Sequence, residues 1–348
     1  MKALIIGLGS IGQRHLRNMI RIIGNDLEII AFRQRGLQIT FSDTMQVLEN
    51  EELDKKYKIV VYNEITDAIK AKPDVAFVTT ITSKHVEIAK KILNSGIDVF
   101  IEKPLSHSLD GIGELISLRN KNKCIAFVGF QNRFNPCVKE LKKIVESKEY
   151  GVILSIQAEI GERLSTMHRY EDYSGTYMAN KTMGGGVVVN QLIHELDYLQ
   201  WIFGVPDEVY SVTGKRTELN IDVEDTSDAI FRYHDDIGDY SLMTHADFLQ
   251  YPARRTCKVI FEKAIVEIDI INNELKITNA DEVKTIDYGS YTRNDMFMDE
   301  LKEFLKYVKM RKQECFTIEE GINSLIMATA INDSAKSKSI IKVKGLQI

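Results

Sequence analysis

Two separate groups of side chains in this sequence could move a proton. In the first, an apolar, strand-like run at 98–101 is followed by Glu102, Lys103 and Pro104. Pro104 fixes the local backbone and can follow a cis peptide bond. Lys103 would then point into a cleft, with Glu102 able to orient it. A lysine in that position can give a proton to, or take one from, an oxygen of a bound molecule, whereas a lysine elsewhere is usually exposed to solvent.

The second group lies in an apolar stretch that follows the glycines 184–186. Asn190, His194 and Asp197 recur there at i, i+4 and i+7, which places them on one face of a helix. A polar stripe on a buried helix must be satisfied by partners or by a ligand. Histidine in general titrates near neutral pH, so His194 could share proton handling with Lys103, although a lone buried histidine is more often structural. Asp197 is expected to orient or cap. Metal binding is the weaker alternative, because no second His or Cys supports it.

A glycine pattern at the start of the chain predicts the ligand that binds beside these groups. The apolar run 2–6 is followed by Gly-x-Gly-x-x-Gly and then by a helical stretch at 11–23. In this context the first glycine permits a tight turn, the second lets a pyrophosphate approach the backbone, and the third lets helix and strand pack closely. The helix N-terminus then faces the phosphates. The residues predicted to contact a dinucleotide here are Gly7, Gly9, Ser10, Ile11 and Gly12.

The end of the second predicted strand bears on which dinucleotide is bound. A carboxylate at this place binds a ribose 2′-hydroxyl and favours NAD, whereas an arginine accommodates the 2′-phosphate of NADP. The chain has Arg33, with Arg35 close by, and no acidic residue at the position. We therefore predict NADP or NAD, with NADP favoured; the alternative is that both arginines are exposed or stack on adenine. The other predicted cofactor contacts are Thr79, Thr80, His85, Glu102 and Lys103.

The first third of the chain alternates short apolar runs with helical patterns, which predicts right-handed βαβ units and a parallel sheet. The segment 36–56 is interpreted as a charged surface excursion, partly helical, outside the active site. Strands are predicted at 2–6, 27–32, 58–62, 75–79, 98–101 and 125–128, and helices at 11–23, 65–71, 85–94 and 109–121.

Strands dominate after residue 151, and several alternate apolar with polar residues, as in an antiparallel sheet with one open face. We predict an α/β fold, in which a doubly wound Rossmann domain at 1–128 precedes an α+β domain at 129–348 with a large, mostly antiparallel open sheet. The last helices could pack back towards the first domain. Strands are predicted at 152–160, 208–213, 227–233, 240–247, 256–261, 265–270 and 274–278, and helices at 134–145, 187–203, 293–310 and 318–334.

Composition excludes several classes of protein. The net charge of −5 argues against a general nucleic-acid binder. No apolar stretch approaches the roughly 18 residues that cross a bilayer. The four cysteines are scattered, which favours reduced thiols over a disulfide framework or a zinc site. We therefore expect a cytoplasmic protein that forms a homodimer or homotetramer through the open sheet.

The glycine turn, Glu102-Lys103-Pro104 and the glycine run before the Asn190–His194 helix together resemble the glucose–fructose oxidoreductase / inositol dehydrogenase / MocA family. The resemblance covers nearly the whole chain and includes the stretch 129–134. It implies a two-domain enzyme that uses NAD or NADP to oxidise or reduce sugars, cyclitols, sugar nucleotides and related compounds. Lys103, Asn190 and His194 would inherit the catalytic roles. Leu192 departs from the family, which often has Gly there, and it narrows the space beside the helix.

A polar, aromatic segment at 162–177 is predicted to be a loop that carries substrate specificity. Its arginines and histidine favour an anionic, carbohydrate-like substrate; a solvated loop or a subunit contact is the alternative. Two rival functions remain open: a non-catalytic NADP-binding regulator, and an enzyme that keeps its cofactor and oxidises its substrate transiently. The predicted substrate contacts are Arg163, Arg169, Tyr173, Tyr177, Asn190 and His194, and no metal ligand is predicted.

Overall fold

The computed structural model describes residues 1–33, 39–42, 46–49, 51–167 and 170–343. These residues divide into two compact units. The first consists of Met1–Phe130 with Phe297–Gly321, and the second of Gln131–Met296 with the chain from Ile322 onwards. No helix within the described ranges is both long and apolar enough to cross a membrane.

The first unit contains a parallel sheet in which β1 is central. Apolar residues fill β1, β2 and the later strands because helices cover both faces of such a sheet. The described strands are β1 (Lys2–Ile6), β2 (Glu28–Phe32), β3 (Thr40–Phe41), β4 (Val47–Leu48), β5 (Val60–Tyr62), β6 (Val75–Val78), β7 (Asp98–Glu102) and β8 (Ala126–Gly129).

Six of these strands pair in the order β5-β2-β1-β6-β7-β8, and within the described residues β3 pairs with β4. Every pair in the six-stranded sheet is parallel. The direction of winding reverses between β1 and β6, so the carboxyl ends of these two strands mark the place where doubly wound sheets bind ligands. The helices are α1 (Ser10–Ile23), α2 (Leu53–Lys56), α3 (Ile65–Lys70), α4 (His85–Asn94) and α5 (Ile112–Asn122).

Stacked phenylalanine rings form part of the core of the first unit. Phe77 stacks on Phe100 with ring centroids 5.4 Å apart, and Phe100 stacks on Phe127 at 5.3 Å. Phe304 packs its edge against all three rings. This aromatic layer connects β6, β7 and β8, to which Phe77, Phe100 and Phe127 belong, close to the carboxyl ends of the strands.

The second unit contains a nine-stranded sheet within the described residues. Its order is β16-β15-β14-β13-β9-β12-β11-β10-β17, and the pairing is antiparallel except between β9 and β12. The strands are β9 (Ile153–Gly161), β10 (Glu208–Gly214), β11 (Thr226–His234), β12 (Asp239–Asp247), β13 (Arg254–Phe261), β14 (Ala264–Asp269), β15 (Glu274–Asn279), β16 (Val283–Asp287) and β17 (Ile341–Lys342).

Five further helices complete the described chain: α6 (Pro136–Ser147), α7 (Leu164–Met167), α8 (Ile193–Phe203), α9 (Arg293–Met310) and α10 (Ile318–Ser337). The α-helix predicted over 187–203 instead begins as a π-helix at Val188–Leu192 and continues as α8. Hydrophobic periodicity does not report such a widened turn. The predicted loop at 162–177 contains α7 and short 3₁₀ turns. β16 escaped prediction because it is largely exposed and lacks a buried apolar face.

Candidate active site

The glycine turn has the geometry that its spacing predicts. Gly7 has φ +101°, and a Cβ atom there would lie 2.7 Å from the Thr79 carbonyl oxygen. A Cβ atom on Gly12 would collide with the Gly7 carbonyl oxygen. Gly9 differs, because a Cβ atom there would meet no described heavy atom within 4 Å. Gly7 and Gly12 are therefore required for packing, while Gly9 leaves open space beside the backbone.

This open space fits a diphosphate. Helix α1 begins at Ser10, immediately after Gly9, and among the described residues no side chain caps its N-terminus. The first N–H groups of a helix have no intrahelical acceptor and carry the positive end of the helix dipole. Backbone N–H groups at Ser10 and Ile11, beside a glycine without a side chain, suit the phosphates of a dinucleotide.

Polar groups after β6 connect the glycine turn to the segment after β7. Thr79 Oγ1 donates a hydrogen bond to the Gly7 carbonyl oxygen at 2.6 Å. His85 is buried, with Nδ1 2.8 Å from the Pro104 carbonyl oxygen and Nε2 3.0 Å from the Thr80 carbonyl oxygen. Burial lowers the pKa of His85. His85 thus links two loops at this edge of the sheet, and its place near the cofactor stays a prediction.

Glu102 positions the backbone of Lys103. One carboxylate oxygen of Glu102 accepts a hydrogen bond from the Lys103 backbone N–H at 3.1 Å, and the other lies 2.6 Å from His15 Nε2. His15 is fully buried and Glu102 almost so. The Lys103–Pro104 bond is cis. Sequence reasoning missed His15, whose only signal was its place one turn beyond the glycines in α1.

Arg33 lies at the carboxyl end of β2 but is paired with an acidic residue. Its Nη1 atom is 3.2 Å from both carboxylate oxygens of Asp54, at the start of α2. Within the segment 36–56, which the sequence predicts to be a surface excursion apart from the active site, the chain thus returns to the end of β2 at Asp54. Arg35, the other arginine predicted to contact the cofactor, falls outside the described residues.

In the second unit, the polar face of the 188–203 helix contacts the segment Gln131–Phe134. Gln131 Nε2 lies 3.4 Å from His194 Nδ1, and both side chains are buried. Asn190 donates from Nδ2 to the carbonyl oxygens of Gly184 and Gly186, at 2.8 and 3.3 Å. The glycine run and the π-helix are thereby joined, and the His194 ring is held from its Nδ1 side. Sequence reasoning assigned Gln131 no role.

Asp197, on the same helix, is paired with Arg133. Its carboxylate makes two hydrogen bonds to Arg133, from Nε at 2.8 Å and from Nη2 at 2.6 Å. The two side chains are 1% and 0% exposed. The guanidinium also lies over the Trp201 ring, 5.6 Å from its centroid. No signal in the sequence distinguished Arg133 from a surface arginine.

The predicted substrate residues within 162–177 differ in their exposure and in their contacts. Arg163 is exposed, just before α7. The Tyr173 hydroxyl accepts a hydrogen bond from the Asn220 backbone N–H at 3.3 Å. Tyr177 is half-buried in a 3₁₀ turn. Arg169 falls outside the described residues.

Comparison with known families accounts for both units. Residues 1–130 match the oxidoreductase family with an NAD-binding Rossmann fold, and residues 138–267 match the GFO/IDH/MocA C-terminal domain. The chain belongs to the Gfo/Idh/MocA family of oxidoreductases. Membership of this family confirms the resemblance seen in the sequence, the parallel sheet followed by an open antiparallel one, and the nicotinamide nucleotide as the class of cofactor.

Relatives within the Gfo/Idh/MocA family include named dehydrogenases. The chain is 30% identical over 217 residues to the uncharacterized oxidoreductase YrbE of Bacillus subtilis, covering 62% of this chain and 57% of YrbE. It is 25% identical to the myo-inositol 2-dehydrogenase of Thermotoga maritima, over 99% of each chain. The chain spans about half the length of several other curated relatives that it matches, for example 54% of a Salmonella inositol 2-dehydrogenase.

A solved structure of levoglucosan dehydrogenase, in complex with NADH and levoglucosan, has the same fold. It superposes with a TM-score of 0.83 at 16% identity, over 99% of each chain. This similarity extends the shared fold over both units.

Proposed function

We propose that this chain is an NAD(P)-dependent oxidoreductase acting on a CH–OH or keto group of a carbohydrate-like molecule. One observation carries the proposal: the open Gly9 turn and Lys103 follow β1 and β7, which flank β6 in one parallel sheet. Parallel strands bring their carboxyl ends to the same edge, so the phosphate-binding turn and a candidate proton donor share that edge. The nucleotide supplies hydride chemistry when it is bound.

The proposed roles follow from what each side chain can do. The Lys103 ammonium donates a proton to, or its amine accepts one from, the reacting oxygen. A histidine can both give and take a proton, and His194 is proposed to do so while Gln131 contacts its Nδ1 atom. Asn190 holds the glycine run and positions the substrate hydroxyl. Glu102 fixes the Lys103 backbone.

The proposed substrate is a sugar, cyclitol, sugar acid or nucleotide sugar. The relatives named inositol dehydrogenase support the polyol part of this proposal. Arg163, Arg169, Tyr173 and Tyr177 are proposed to select it, and the arginines favour an anionic group. We propose that the first unit binds the nucleotide and that the second binds the substrate.

We also propose a homo-oligomer formed through the open sheet of the second unit. Tyr210, Ile230 and Met243 are opposite one another on β10, β11 and β12, and all three are exposed. A row of exposed apolar side chains on a sheet is typical of a protein contact. The four cysteines are free thiols in the described structure, which fits a reducing compartment such as the cytoplasm.

The test has two steps. Fluorescence titration with NADH and with NADPH measures nucleotide binding, and reduced-nicotinamide absorbance then follows turnover across a panel of polyols, sugar acids and nucleotide sugars. The proposal predicts binding and turnover of at least one class. Binding without turnover across the panel would favour a regulator. A nucleotide that co-purifies and never exchanges would favour transient oxidation, and failure to bind either nucleotide would contradict the proposal.

A further inference from the structure

A carboxylate lies beside the end of β2, although the residues that directly follow β2 include no acidic one. Arg33 directly follows β2, and Asp54 reaches it from α2, with both carboxylate oxygens 3.2 Å from Arg33 Nη1. The Arg33 side chain is only 9% exposed and the Asp54 side chain 26% exposed. A pair this sheltered from water is less screened than the ion pairs on the surface.

The guanidinium of Arg33 has capacity left for a ligand. Its Nη2 atom is buried and has no hydrogen-bond partner among the described residues. A buried donor without a partner is uncommon and calls for an explanation, such as a group that binds there. The Arg33 backbone N–H bonds to the Tyr62 carbonyl oxygen at 3.2 Å, which fixes the residue between β2 and β5. Arg33 is therefore oriented at the place where doubly wound sheets hold the adenosine ribose.

The charge of the pair decides which ribose it suits. An unpaired arginine here attracts a 2′-phosphate, whereas a carboxylate accepts a hydrogen bond from a 2′-hydroxyl and repels a phosphate. Asp54 neutralises the charge of Arg33. It also places a carboxylate beside the guanidinium, which a phosphate would have to approach. The remaining Nη2–H can still donate to a neutral hydroxyl oxygen.

We propose that Asp54 is a cofactor-specificity residue, which pairs with Arg33 so that this enzyme prefers NAD over NADP. The inference rests on the proposed function, because it presumes that the turn after β1 binds a nicotinamide dinucleotide. It reverses the preference that Arg33 and Arg35 suggest in the sequence. Asp54 acts at the nucleotide end remote from the hydride, so its effect is on binding.

The experiment measures dissociation constants of NADH and NADPH by fluorescence titration, with no substrate present. The wild type is expected to bind NADH about tenfold more tightly than NADPH, from one like-charge contact in a partly screened site. Asp54→Asn removes the charge and keeps the shape. It should tighten NADPH binding about tenfold and change NADH binding less than about threefold.

Two further variants separate specificity from a general effect. Glu52→Gln makes the same change in net charge two residues away, where Glu52 pairs with Lys55 in solvent. It should leave the ratio of the two constants unchanged. Adding Arg33→Gln to Asp54→Asn should abolish the gain for NADPH, since the freed guanidinium is the group that binds the phosphate.

Several outcomes would overturn the inference. If the wild type binds NADPH as tightly as NADH, the inference is wrong. This outcome needs no variant, so it applies even if Asp54→Asn fails to fold. An equal change for both nucleotides in Asp54→Asn would indicate that the pair only holds α2 against the sheet. A wild type that binds neither nucleotide would refute the proposed function itself, so the two failures are distinct.

Discussion

Arg133 and Asp197 form a buried, two-pronged ion pair that fixes the helix carrying His194. Arg133 Nε and Nη2 bind the two carboxylate oxygens at 2.8 and 2.6 Å. Gln131 precedes Arg133 by two residues and contacts His194, which precedes Asp197 by three. Both contacts therefore join the same two segments. The ion pair holds these segments together and so maintains the contact between Gln131 and His194, which orients the imidazole.

Asp197→Asn should strongly destabilise the protein. The substitution removes the charge of the carboxylate that is buried against Arg133, and breaking a buried pair in this way costs about 3–5 kcal/mol. Urea unfolding, followed by circular dichroism, measures the change in the free energy of unfolding. Asp239→Asn is the control, because it breaks only solvent-exposed pairs, those with Arg232 and His234, and should leave the urea midpoint unchanged. Equal midpoints for both variants would contradict the role of Asp197.

Gln131→Leu should lower kcat/KM about tenfold, the effect of losing one hydrogen bond that orients a reacting group. Without the amide, the His194 ring loses the contact between its Nδ1 atom and Gln131. Gln131→Glu provides the comparison. Its carboxylate stabilises the imidazolium, so the limb of the pH–rate profile assigned to His194 should move to higher pH. If both variants keep the wild-type profile and kcat/KM, then Gln131 does not position His194.

Alanine substitutions at two glycines of the same turn should affect different properties. Gly9→Ala should weaken nucleotide binding, whereas Gly12→Ala should destabilise the fold. Gly9→Ala adds a methyl group where no described atom lies within 4 Å, at a φ of −71° that alanine adopts. It should fold normally and weaken nucleotide binding at least about tenfold, because the methyl group occupies the space of the diphosphate. Thermal unfolding and fluorescence titration test both parts.

Gly12→Ala is the matched variant. Its methyl group would collide with the Gly7 carbonyl oxygen, so it should lower the melting temperature. If Gly9→Ala binds NADH as the wild type does, the diphosphate does not lie at this turn.

A histidine on the open sheet should make stability depend on pH. His245 lies 2.9 Å from Asp247 and 2.8 Å from Asp228, and these contacts, that with Asp247 foremost, raise its pKa from 6.5 to about 9. A raised pKa in the folded state stabilises the protein fully below the unfolded pKa, and the contribution disappears as pH rises through the folded pKa. The window is therefore about pH 6.5 to 9.

The comparison is between the wild type and His245→Gln. The difference in their free energies of unfolding should be larger near about pH 6 than near about pH 10. Urea unfolding at both pH values measures it. A difference that grows with pH would show that the protonated histidine is not the stabilising form.

Local pattern predicted the elements of the first unit well. The strand at Lys2–Ile6, the helix at His85–Asn94 and the glycine turn depend on neighbours in the sequence, and the structure confirms them. Parallel strands buried on both faces are near-continuous apolar runs, which are easily recognised. The long helix at Arg293–Met310 was predicted with the same bounds.

The contacts that organise the candidate site were not predictable in the same way. Arg33 and Asp54 are 21 residues apart in the chain, and no periodicity indicates that the chain returns between them. Gln131 and His194 are separated by 63 residues. Such pairs depend on tertiary packing, which one sequence does not encode as a spacing. The π-helix at Val188–Leu192 is likewise invisible to a helical period of 3.6 residues.

The most direct test of the central claim is the turnover of Lys103→Met, His194→Gln and the double variant, followed by reduced-nicotinamide absorbance with the best substrate of the panel. If both side chains move the same proton, each single variant should lower kcat by about 10²–10⁴-fold, with NADH affinity retained. The double variant should then be about as slow as the slower single variant, because residues that act as a unit are not additive. Wild-type turnover in Lys103→Met, measured with cofactor bound, would contradict the account.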